Sequence, residues 1–202
     1  MSFEIIETSF DGLKLVRLAR FDDERGFFFE LCNPRLEKKL NPAFFAKNTW
    51  SQDNISFSQK GVTRGLHFQR RPFAQAKFIG PLSGKIFDVV VDLRKESPTF
   101  AKVYSIELDS KNCEFLYVPE GFAHGFQSLQ DRTLCLYKTS NVYDQKSEGS
   151  IRWDDPQLGI SWPITNAILS KKDAEAEIFC PVKHQFPGYS VQSLDGNQCL
   201  QF

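Results

Sequence analysis

Histidine is scarce in this chain, with three in 202 residues, so few side chains are available to act as a general base near neutral pH. Its five cysteines, Cys32, Cys113, Cys135, Cys180 and Cys199, are odd in number, scattered and never in a Cys-x-x-Cys pair. That pattern argues against a zinc site and a disulfide framework, and it fits a reducing cytoplasm. No uninterrupted apolar stretch approaches roughly 18 residues, and Met1-Ser2-Phe3-Glu4 opens no basic region followed by an apolar run. A secreted or membrane-spanning protein is therefore not expected, and the cytoplasm is the expected location. Charge of one sign is also missing in excess, since 25 basic residues balance 25 acidic ones. A general electrostatic grip on nucleic acid or membrane is not indicated, although a local basic pocket is compatible with the balance. The sequence has no P-loop, Gly-x-Gly-x-x-Gly turn or Gly-x-Ser-x-Gly elbow, which removes the usual phosphate-loop and nucleophile-elbow chemistries.

What is present points to β-structure. No repeat, low-complexity block or Pro/Gly/Ser-rich linker divides the chain, and its length suits one large domain. Twenty phenylalanines suit strands and aromatic-lined pockets. Strands are predicted at 77–79, 85–93, 103–108, 114–118, 125–129 and 133–139, with breaks carried by Gly80-Pro81, Ser97-Pro98, Asp109-Ser110 and Pro119-Glu120-Gly121. Short strands without intervening helices predict an antiparallel sandwich or barrel. One early helix is legible: Asn33 caps it, Pro34 suits its first position, Leu36 and Leu40 share a face, and Asn41-Pro42 ends it. In the strand around Asp88, alternation puts Phe87, Val89, Val91 and Leu93 on one face and Asp88, Val90, Asp92 and Arg94 on the other. Three ionisable residues there mark a polar cavity or a solvated outer face, and the sequence leans toward the solvated one. Residues 1–180 are expected to form one domain and 181–202 an irregular tail.

The stretch from Gln52 to Gln69 holds the residues best suited to chemistry. A turn around Lys60-Gly61 leads into a strand carrying Arg64 and His67. An isolated histidine between Leu66 and Phe68 also reads as a packed core residue, Lys77 as an edge charge and Tyr137 as an ordinary strand residue. If the three converge on a polar barrel interior, imidazole, ammonium and phenol would form a proton-transfer set able to epimerise a carbon beside a carbonyl. Ser170-Lys171-Lys172-Asp173 has the capping-box pattern, and Asp173 has a second reading as the partner of a histidine. His67 has no His-x-His neighbour and His124 lies far along the chain, which disfavours metal while leaving the two free to meet in space.

Longer segments carry a family resemblance. They are Asp23 to Glu30, Gln52 to Gln69, Gln75-Ala76-Lys77, Phe87 to Arg94, Ser97 to Phe100, Val118 to Phe126, Trp153 to Pro156 and Trp162-Pro163. In order and spacing, from about residue 5 to 176, the sequence resembles the dTDP-4-dehydrorhamnose 3,5-epimerases. The resemblance implies a cupin-type antiparallel jelly-roll barrel with a few short peripheral helices. It also implies a homodimer, free of cofactor and metal, acting on dTDP-4-keto-6-deoxyglucose. His67 would be the base, Tyr137 the acid, Lys77 the group that stabilises the oxyanion, and Asp173 the carboxylate partnering His67. Substrate contacts would come from Arg25, Glu30, Gln52, Asp53, Asn54, Arg64, His124, Glu148 and Lys172, with Tyr143 stacking on thymine. Double epimerisation at C3 and C5 is the first expectation, and inversion of one carbon the alternative. A 3,4-ketoisomerase, a non-catalytic nucleotide-sugar binding module and a metal-dependent cupin oxygenase are the rival readings. Strict alternation would separate Arg64 from His67, so a shared pocket requires a bulge or twist near Gly65. Thr63 and Gly80-Pro81 depart from the family pattern and are expected close to the sugar site, where they would bear on which carbon is inverted.

Overall fold

A computed structural model of the chain describes residues 3–188. In chain order its strands begin with β1 (Phe3–Glu7), β2 (Lys14–Leu18), β3 (Arg20–Asp23) and β4 (Gly26–Phe29). Helices α1 (Pro34–Leu40) and α2 (Pro42–Phe45) precede β5 (Gln52–Ser58), β6 (Thr63–Gln69), β7 (Lys77–Ser83) and β8 (Lys85–Asp92). Then come β9 (Val103–Asp109), β10 (Glu114–Val118), β11 (Phe122–Ser128), β12 (Thr133–Thr139), β13 (Glu148–Ser150) and helix α3 (Lys171–Ala174). A six-stranded sheet runs β1-β2-β10-β7-β12-β5 and a five-stranded sheet β13-β6-β11-β8-β9, while β3 and β4 pair only with each other. The strands pair antiparallel, and the two sheets make a cupin-type jelly roll.

Three apolar layers follow from the alternation of side chains across each strand. Between the sheets lie Leu15, Ile79, Leu116 and Cys135 from one side and Ile86, Val90, Leu108 and Phe126 from the other. Outside the six-stranded sheet, Phe78, Phe115 and Tyr117 pack under Leu36, Leu40 and Phe45 of the two helices. The helical start is local chemistry: the Asn33 side chain accepts from the Arg35 and Leu36 amides, and Pro34 fills a position needing no donor. Asn41 then ends α1 and caps α2. Outside the five-stranded sheet, Leu66, Phe68, Val89 and Val91 are covered by Ile151, Leu158, Phe179 and Phe186.

Two expectations are corrected here. Gly80-Pro81 is no break, because β7 continues to Ser83. The β12–β7 register shifts beside Pro81, where a missing N–H is tolerated, and a Cβ on Gly80 would lie 2.6 Å from the Phe115 ring. The polar face of β8 is not solvated either: Asp88, Asp92 and Arg94 are buried. Asp92 accepts from Arg94 Nε (2.9 Å) and Nη2 (2.8 Å) and from Ser97 and Thr99 hydroxyls at 2.6 Å. Burial pushes the Asp92 carboxyl up, but these bonds outweigh it and hold the group below its usual range. Alternation reveals two faces, and only the second sheet determines that this one is interior.

Residues 181–188 contain no helix or strand, yet His184 and Phe186 among them are buried. The Phe186 amide donates to the Leu93 carbonyl at 2.7 Å, and buried His184 accepts from the Cys180 amide through Nδ1 at 2.8 Å. The rest of the expected tail, 189–202, lies outside the described residues. Among the described residues no helix is long and apolar enough to cross a membrane.

Candidate active site

Between the sheets opens a cavity of about 210 Å³ whose wall includes Arg64, His67, Lys77, His124, Tyr137 and Asp173. The chain crosses from one sheet to the other between β5 and β6, through a turn in which Gly61 has φ of +83°. That crossing feeds Arg64 and His67 into β6. Opposite them on β11, His124 pairs with His67 and Phe126 with Arg64, so β6 carries one extra residue between those pairs. This bulge turns Arg64 and His67 into the same cavity despite their odd spacing. Gly65, inside the bulge, has φ of +110°, and a Cβ there would lie 2.6 Å from Gly125 Cα.

His67 Nε2 lies 2.5 Å from Asp173 Oδ1, while Asp173 Oδ2 accepts from the Ser170 hydroxyl at 2.8 Å. Asp173 thus meets the histidine through one oxygen and the capping Ser170 through the other, while the cap itself is the Ser170 hydroxyl accepting from the Asp173 amide at 3.1 Å. Burial pushes the Asp173 carboxyl up, but the His67 and Ser170 hydrogen bonds and the charge of Lys172 together hold it below the usual range. An ionised Asp173 only accepts, so His67 donates from Nε2, which leaves Nδ1 as the nitrogen that carries the lone pair of the neutral ring.

Lys77 and Tyr137 enter from the other sheet. Lys77 donates to the His67 carbonyl at 3.2 Å. Burial pushes its ammonium down to about 8, against the opposing pull of Asp88 and Glu148. Tyr137 is a register partner of Ile79, and burial raises its phenol, helped by Cys135 and opposed by Arg64. It therefore holds its proton at neutral pH and can donate it. Arg64 donates to Ser58 Oγ and to the Phe57 carbonyl, and it has no carboxylate partner among the described residues. The N–H donors that these two bonds leave over suit a phosphate group.

A residue that sequence reading missed stands behind His124 in the wall. Asp88 on β8, fully buried, accepts from His124 Nε2 through both oxygens at 3.0 and 2.9 Å. Its signal was a carboxylate midway along an apolar strand. The two histidines do meet, but each is committed to its own carboxylate. No group of three or more metal-ligating side chains forms among the described residues.

The remaining expected contacts divide by position. Lys172 lines the cavity and forms an ion pair with Glu148, which also accepts from the Tyr143 hydroxyl at 2.9 Å. Both Glu148 and Lys172 also border a neighbouring cavity of about 690 Å³. Gln52 bridges Asn54 and the Tyr143 amide, which ties these three residues together, and none of them lines the cavity. Asp53, one residue out of phase on β5, bonds instead to Lys138 at 2.7 Å. Arg25 pairs with Asp23 at the β3–β4 turn, and Glu30 accepts from Asn33, so neither lines this cavity. Thr63 and Gly80-Pro81 do not line it either: the Thr63 hydroxyl is held by the Gly61 carbonyl and Gln127, and Gly80 faces Phe115.

A family model described as dTDP-4-dehydrorhamnose 3,5-epimerase matches residues 7–180. The chain is 45% identical over 175 residues to the dTDP-4-dehydrorhamnose 3,5-epimerase of Salmonella typhimurium, covering 86% of this chain and 94% of that protein. Among solved structures, a dTDP-6-deoxy-D-glucose-3,5-epimerase from Legionella pneumophila, in complex with dTDP-4-keto-L-rhamnose, superposes with a TM-score of 0.85. Identity is 39%, over 93% of this chain and 99% of that one. A 3'-monoepimerase from Streptomyces bikiniensis, in complex with dTDP-quinovose, gives a TM-score of 0.81 at 29% identity, covering 90% of this chain and 92% of that one.

Proposed function

Because the chain belongs to the dTDP-4-dehydrorhamnose 3,5-epimerase family, we propose that it epimerises dTDP-4-keto-6-deoxy-D-glucose at C3 and C5. The observation that carries this reading is the convergence of His67, on one sheet and held by Asp173 of α3, with Lys77 and Tyr137 from the other sheet. The C4 ketone acidifies the hydrogens on C3 and C5. His67 Nδ1 removes one of them, and the electron pair moves onto the C4 oxygen as an enolate. Lys77, itself buried, supplies positive charge to that oxygen, an arrangement worth on the order of a few kcal/mol by analogy with oxyanion holes. Tyr137 returns a proton from the opposite sheet, which inverts the carbon, and solvent then restores both side chains.

Arg64 is assigned to the diphosphate and Tyr143 to the thymine ring. Arg25 and Glu30, which the family resemblance places at the substrate, sit on the projecting β3–β4 hairpin and the segment after it, where Phe21 and Phe28 are more than half exposed. A homodimer whose hairpins reach the partner's site would reconcile these positions, and the cytoplasm is the proposed location. The test is NMR of dTDP-4-keto-6-deoxyglucose in D₂O with the protein, the product being trapped by a reductase. Deuterium at both C3 and C5 is expected, and none at either carbon would sink the assignment. Analytical ultracentrifugation tests the dimer.

A further inference from the structure

We infer that Ile79 and Phe126 seat the C5 methyl group of the substrate and govern whether C5 is inverted as well as C3. The inference rests on the epimerase reading above.

Most of the side chains that line the cavity are polar. Its apolar side chains are Ile79 and Phe126, at 1% and 3% exposure. Ile79 lies two residues beyond Lys77 on β7 and in register with Tyr137, so it shares their face beside the proposed acid. Phe126 lies two residues beyond His124 on β11 and in register with Arg64. The two side chains thus approach from opposite sheets, and both continue into the core between them.

Inverting a tetrahedral carbon moves its substituent from one face of the sugar ring to the other. At C3 the substituent is a hydroxyl, and the histidines and Lys77 offer it hydrogen bonds. At C5 it is a methyl, which gains nothing from those groups and favours apolar surface. An apolar patch therefore matters to C5 inversion and is irrelevant to C3. Thr63 and Gly80, the departures from the family pattern, are turned away from the cavity and cannot take this role. The same patch would strand the hydroxyl of a 6-hydroxylated sugar, because hydrophobic surface offers it no partner.

The test compares deuterium uptake at C5 with uptake at C3, measured in one sample by NMR. Ile79→Thr, which keeps a branched side chain but adds a hydroxyl, is expected to lower the C5-to-C3 ratio about tenfold. Ile79 is also a core residue, so a second measurement uses the unaltered protein with the dTDP-linked 4-keto-pentose, which lacks the methyl. Its C5-to-C3 ratio, per hydrogen, is expected to fall by about the same factor. A ratio unchanged with the pentose overturns the inference, as does uptake at C3 alone on the 6-deoxy substrate. No uptake at either carbon of the 6-deoxy substrate instead overturns the epimerase reading on which it stands.

Discussion

His67 and His124 face each other in register across β6 and β11, and each is held by its own buried carboxylate, Asp173 for one and Asp88 for the other. The two pairs have different settings. Asp173 also binds the Ser170 hydroxyl and carries a helix end, whereas Asp88 gives both oxygens to His124. Asp88→Asn keeps the shape but offers one acceptor where there were two, so His124 loses its fixed tautomer. Turnover is expected to fall about 10- to 100-fold with little change in Tm. A collapse of Tm with normal turnover per folded molecule would make Asp88 a packing residue.

His67→Ala removes the base and should reduce hydrogen exchange at both sugar carbons by about 10²- to 10⁴-fold. Tyr137→Phe should behave differently, because the base remains. Deuterium should then wash in from solvent faster than inverted product forms, while binding of dTDP, measured by calorimetry, stays near the original. Exchange and inversion falling in parallel would remove Tyr137 from its role as acid.

Lys77 gives a pH signature. Burial holds its ammonium down at about 8, so the side chain is cationic below that pH and neutral above it. Turnover is expected to fall as pH rises through about 8. Stability moves the other way. The folded value lies below the ordinary 10.5, so the unfolded chain binds this proton more tightly, and the contribution of Lys77 to stability rises between about 8 and 10.5. Urea unfolding of the unaltered protein and Lys77→Met across that range isolates the effect. A difference between them that does not vary with pH would contradict it.

Gly65→Ala tests the bulge. The added Cβ would require a left-handed backbone and would sit 2.6 Å from Gly125 Cα and 2.7 Å from the His124 carbonyl. A loss of about 2 kcal/mol or more in unfolding free energy is expected, with the Arg64–His67 spacing disturbed and turnover reduced. An alanine variant of normal stability and activity would show that the bulge is dispensable.

Short-range features of this protein were legible in its residues. Asn33-Pro34 starts a helix because the cap and the missing donor act within a few residues, and Leu36 and Leu40 lie on one face by helical spacing alone. The alternation of Phe87, Val89 and Val91 with Asp88 and Val90 likewise depends only on the strand carrying them. His67, Lys77, Tyr137 and Asp173 stood out by residue type and family resemblance. Long-range facts were not available in this way. His67 and Asp173 are 106 residues apart, and their 2.5 Å contact exists because α3 is brought over β6. Whether Asp88 faces water or the interior depends on a second sheet closing over β8. Arg64 joins His67 only because β11 pairs with β6 out of simple register, and Gly80-Pro81 remains in a strand because Phe115 packs against it. Capping and alternation arise from neighbours along the chain, whereas burial, register and the meeting of charges arise from neighbours in space.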